Sequence, residues 1–78
     1  MIDTYDGYKE LGVAIIERAL IDYRKDYERY LRKGIRKPER DRLINNRWLQ
    51  YLMELCGIHI PIEKMVIAIE ERVENEIN

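Results

Sequence analysis

Between Gly7 and Lys33 the residues Val13, Ile16, Leu20, Tyr23, Tyr27 and Tyr30 return at alternating intervals of three and four. That spacing keeps one apolar stripe on one side of a helix and fits no strand, so the stretch is predicted to form a single long amphipathic helix. Glu10 and Glu17 lie toward its start and Arg29, Arg32 and Lys33 at its end, the charge order that complements a helix macrodipole. Asp3, Thr4 and Asp6 are candidate caps, with Asp6 preferred. Such a helix is roughly 40 Å long, more than a small three-helix domain covers, so one end is expected to project or to meet another subunit.

The two halves of this helix differ. From Leu11 to Ile21 the set Leu11, Val13, Ala14, Ile15, Ile16, Ala19, Leu20 and Ile21 covers most of the circumference, which predicts burial on more than one side. After Asp22 the stripe narrows to Tyr23, Tyr27 and Tyr30. Tyrosine buries a large ring while its hydroxyl stays near water, so this ladder suits either the margin of the core or an interface, and it is the candidate protein-binding face.

Gly34 follows Arg32-Lys33 where a left-handed helix stop is expected, and Pro38 fits the first turn of the next helix. The connection from Gly34 to Lys37 is short, which predicts that the second helix folds back antiparallel to the first. Its apolar positions are Leu43, Ile44, Trp48, Leu49, Tyr51, Leu52, Leu55 and Cys56, closed by Gly57. Trp48 shares a face with Ile44, Leu52 and Leu55 and is expected to anchor the core; an interface hot spot is its other reading. Ile58-His59-Ile60 is a brief extended link, because Pro61 disfavours helical geometry in the residue before it. A third helix from near Pro61 carries Ile62, Met65, Val66, Ile69, Val73 and Ile77 at helical spacing. Glu63, Glu70, Glu71, Glu74 and Glu76 are expected on its solvated face. Residues 1–78 therefore read as one all-α, three-helix domain: a long first helix, an antiparallel second and a C-terminal third.

At 78 residues the chain buries only roughly 60 to 65% of its unfolded surface, so self-association is expected to complete the core, with a dimer favoured. A single cysteine, Cys56, and a start without the basic and apolar run of a signal peptide predict the cytoplasm. No apolar run approaches the ~20 residues that cross a bilayer. There is no serine, one threonine and one histidine, His59, which excludes a serine-nucleophile triad. Cys56 and His59 lie close in sequence but lack an orienting acid, and one Cys with one His is too few for zinc. The chain is expected to be no enzyme and to need no cofactor or metal.

Charge is unevenly spread. Asp22–Arg42 carries nine basic residues against five acidic, and Glu54–Asn78 six glutamates against Lys64 and Arg72. The basic hairpin, with Arg29, Arg32, Lys33 and Arg36 as candidate contacts, defines an alternative reading as a nucleic-acid-binding module around residues 24–42. Its interleaved carboxylates and the pI near 5.8 weigh against that. The same polarity serves to steer protein association.

Three elements occur in one order: Ala14-Ile15-Ile16 to Ala19 with Asp22-Tyr23-Arg24-Lys25, then Trp48-Leu49-Gln50-Tyr51-Leu52, then Gly57 followed by Ile62-Glu63-Lys64-Met65. In these the chain, over roughly residues 13–65, resembles small helical proteins encoded in phages and prophages of Gram-positive bacteria. The resemblance implies a genomic setting and a helical fold and supplies no site residues. The function expected is that of a non-enzymatic phage-type accessory or regulatory protein, in the host cytoplasm, that self-associates and binds another protein.

Overall fold

The computed structural model describes residues 4–77, in which four α-helices and no strand occur: α1 Thr4–Lys33, α2 Arg40–Ile44, α3 Arg47–Leu55 and α4 Ile62–Ile77. The all-α expectation holds among these residues. The second of three expected helices is instead two, α2 and α3, parted at Asn45-Asn46. Asn46 has extended backbone (φ −73°, ψ 105°), and its side-chain oxygen accepts from the amides of Trp48 and Leu49 at 3.0 and 3.2 Å. A side chain that satisfies two orphan donors starts a new helix in a new phase. α1 is already helical at Thr4, so Asp6 lies inside the helix rather than capping it; Asp3 is outside the described residues.

Both glycine stops take positive φ, 67° at Gly34 and 72° at Gly57. At the second, the Ile58 amide donates to the Met53 carbonyl at 2.9 Å and the Gly57 amide to that of Glu54 at 3.1 Å. These two bonds close the end of α3 in a Schellman turn that a side chain at Gly57 would strain.

α3 runs antiparallel to α1, with Leu52 and Cys56 against Gly12, and the Cys56 thiol donates to the Lys9 carbonyl at 3.5 Å. α4 runs parallel to α1: Tyr23 reaches Glu70 and Tyr27 reaches Glu74. The core is the seam of these three helices, filled by Ile16, Leu49, Leu52, Ile62, Val66 and Val73, with the Tyr23 and Tyr27 rings. α1 outruns its neighbours. Principal extents are 48 × 24 × 18 Å, and the radius of gyration is 14.3 Å, against about 11.5 Å for a compact domain of this length. The accessible surface is 6226 Å², against about 5,000 Å² for a compact monomer of this mass.

The first half of α1 is covered on one side only. Leu11 is 58% and Ile21 47% exposed and Ala14 is exposed, contrary to the expected burial around most of the circumference. α1 packs chiefly against α3 and α4, and the flank away from both stays bare.

Candidate functional site

Glu70 belongs to the apolar arc of α4, four residues after Val66 and three before Val73, and is buried with them. A buried carboxylate needs donors, and it has them from two other helices. The Tyr23 hydroxyl of α1 donates to Oε1 at 2.6 Å, and the Arg40 guanidinium of α2 donates from Nε to the same oxygen at 3.0 Å and from its terminal nitrogen to Oε2. Burial pushes the Glu70 carboxyl upward, but the hydrogen bonds from Arg40 and Tyr23 with the Arg40 charge outweigh it and hold the group below its ordinary value. The carboxylate is therefore ionised and accepts three hydrogen bonds, an arrangement that ties three helices together.

One turn on, the Tyr27 hydroxyl donates to Glu74 at 2.5 Å, and Arg24 donates to both oxygens of Glu76 at 3.0 and 3.2 Å. Glu70 is thus buried in the core, correcting its placement on the solvated face, whereas Glu74 stays exposed there and still accepts from Tyr27. Tyr23 and Tyr27 stack with centroids 6.2 Å apart and are buried in the chain's own seam, whereas Tyr30 is half-buried. Of the ladder, only Tyr30 keeps substantial surface for a partner.

The bonded phenols resist ionisation. The hydrogen bond to Glu74, then burial, pushes Tyr27 up to about 12; burial, then the bond to Glu70, raises Tyr23 further. A folded-state value above the unfolded one means stabilisation complete below pH about 10 and lost as pH rises through the folded values. Alkaline absorbance titration is expected to show a late-ionising component that disappears in Tyr23→Phe/Tyr27→Phe; its persistence would show that other tyrosines carry it.

Lys25, Arg29, Arg32 and Lys33 share one flank of α1 with Glu28 among them, and ion pairs run through the rest of the hairpin. Arg29, Arg32, Lys33 and Arg36 are all exposed, but Arg32 pairs with Glu28 and Arg36 with Glu39, each at 3.0 Å, and Arg42 pairs with the same Glu39 at 3.1 Å. The groove between α1 and the 35–39 connection brings Asp22, Asp26 and Glu39 beside Arg29, Arg36 and Lys37. Because α4 is parallel to α1, part of the acidic stretch folds against the basic one, and Arg24–Glu76 and Arg40–Glu70 pair across it.

The largest departure from the sequence reading is Trp48. It is 58% exposed, and Tyr51 54%, and the two rings stack at 5.8 Å. With Leu55, 40% exposed, they form one stripe of α3, while Leu49, Leu52, Met53 and Cys56 form the buried one. The new phase set at Asn46 carries Trp48 off the face of Ile44. The direction of the bare stripe follows from the contacts. Leu52 and Cys56 face α1, Leu49 and Met53 are buried on one flank of that contact line, and Trp48, Tyr51 and Leu55 lie exposed on the other. On α1, Gly12 faces α3 and Tyr27 faces α4, which puts Leu11 and half-buried Ile15 on that same side. An aromatic and aliphatic face therefore runs across α1 and α3, away from α4. The Asn-Asn pair was the sequence signal for it.

Cys56 is buried and free, and His59 is exposed in the link. Among the described residues no group of three or more His, Cys, Asp or Glu side chains is placed to hold a metal ion, and no helix is long and apolar enough to cross a membrane. Comparison with family models, curated proteins and solved structures returns no match to this chain.

Proposed function

We propose that this chain is a non-enzymatic, phage-type accessory or regulatory protein that works by protein contact, through the α1–α3 face of Leu11, Trp48, Tyr51 and Leu55. The observation that carries this reading is the exposure of two stacked aromatic rings in line with Leu55. Leaving such side chains bare forgoes roughly 1 kcal/mol or more apiece, a stability that a partner's apolar surface recovers. Tryptophan and tyrosine in a contiguous patch are also the residues that dominate binding energy at protein interfaces. The resemblance noted in the sequence supports the phage setting. Nucleic-acid binding by the 24–42 hairpin is the less favoured reading, because carboxylates already engage two of its four candidate contacts, Arg32 and Arg36, and also Arg40 and Arg42 beside them.

A photoreactive phenylalanine analogue placed at position 51 or at position 36, in the chain expressed in bacterial cells, tests this. Protein adducts concentrated at 51 are the expected result. Nucleic-acid adducts at 36, with none to protein at 51, would move the function to the hairpin.

A further inference from the structure

Resting on that reading, we infer that the occupant of the α1–α3 face is a second copy of this chain, docked about a two-fold axis that sets the two α3 helices antiparallel. Trp48, Tyr51 and Leu55 are spaced by three and then four, the seam pattern of paired helices. Arg47 and Glu54 stand one residue before Trp48 and Leu55, on the same edge of that stripe and one heptad apart. Both are exposed and neither makes an ion pair among the described residues.

A two-fold interface must be complementary to itself. With the axis passing between Gln50 and Tyr51, antiparallel pairing carries position 47 onto 54 and position 54 onto 47. Arg47 then meets the partner subunit's Glu54, and Glu54 meets the partner's Arg47, giving two ion pairs at the rim of the aromatic seam. Parallel pairing brings no opposite charge to Arg47: the heptad position it would meet is the partner's Leu52, which is buried against α1 of its own chain. α3 has nine residues and is too short to hold a dimer alone; Leu11 and Ile15 of α1 widen the seam.

The test is sedimentation equilibrium of the full chain from about 1 to about 200 µM, the range in which a small interface is expected to dissociate. The wild type is expected to form a dimer, and Trp48→Glu to weaken it at least about tenfold while far-UV circular dichroism stays unchanged, because the indole is already exposed. Arg47→Glu and Glu54→Arg each create two symmetry-related repulsive pairs and are expected to raise Kd about fivefold; the double swap R47E/E54R returns it to near the wild-type value. Both single changes place the favourable sign of charge at their end of α3, so a weaker helix cannot account for the loss. A wild type that stays monomeric throughout overturns the proposal. So does a dimer indifferent to Trp48→Glu, or a double swap that fails to restore what the single changes lose. Monomeric wild type together with adducts to other proteins at position 51 would sink the second copy and leave the protein-contact reading standing; no protein adduct at 51 would sink the reading itself.

Discussion

Glu70→Ala is expected to lower the unfolding free energy by about 2 to 3 kcal/mol, a large share of the roughly 4 to 12 kcal/mol that holds a domain of this size together. The change removes the acceptor shared by Tyr23 and Arg40, so α1, α2 and α4 lose a common tie and the Tyr23 hydroxyl is left buried without its partner. The cost stays below that of breaking a fully buried ion pair because the Arg40 side chain is 38% exposed and finds water. Glu70→Gln keeps the shape but sets an amide group among donors, and should recover only part of the loss. The pH dependence has a definite sign. Glu70 is held below its ordinary value in the folded chain, so its stabilisation is complete above pH about 4.3 and drains away as pH falls through the folded value. Urea unfolding at about pH 7 and about pH 3 should therefore show a smaller penalty for Glu70→Ala in acid. An unchanged urea midpoint at neutral pH would mean that the node contributes nothing net.

Glu70 was legible in a way that composition hides. Its place in the sequence, between Val66 and Val73 at helical intervals, puts it on the apolar arc of α4; only its charge argued for solvent. The residues that bury it sit 47 and 30 positions away, at Tyr23 and Arg40, and no local pattern reports such partners. Helix type and the two glycine stops were legible because each depends on neighbours within a turn. Trp48 shows where periodicity misleads. Leu43 to Cys56 keeps helical spacing across Asn45-Asn46, yet a single extended residue at Asn46 rephases everything after it, and a face counted straight through the break is the wrong face. The charge asymmetry misleads differently: basic and acidic stretches far apart in the sequence meet in space once α4 lies parallel to α1, and Arg24–Glu76 and Arg40–Glu70 are the result. The α1–α3 face emerges only after these corrections, since it consists of residues whose spacing matches a core and whose neighbours are absent.

Gly12→Ala is expected to destabilise the chain by about 1 to 2 kcal/mol, although the same change at an open helical position stabilises by up to about 1 kcal/mol through lower backbone entropy in the unfolded state. The difference is the close approach of α1 to α3. A Cβ at Gly12 would stand 2.8 Å from the Cys56 sulfur and 3.7 Å from a Leu52 methyl group. The thiol is short, buried and hydrogen-bonded to the Lys9 carbonyl, so it has little room to turn aside, and the two helices must part by a few tenths of an ångström along the seam that holds Leu49 and Leu52. Gly12→Val, with two further methyl groups and a stiff χ1, should cost about 3 kcal/mol. Removing the obstacle reverses the sign. In a Cys56→Ala background the Gly12→Ala change should become neutral or stabilising, giving a coupling of about 1 to 2 kcal/mol between the two positions in a double-mutant cycle measured by urea unfolding. Additive changes would show that α1 and α3 do not meet at Gly12, and with that contact would go the geometry that turns Trp48, Tyr51 and Leu55 outward beside Leu11.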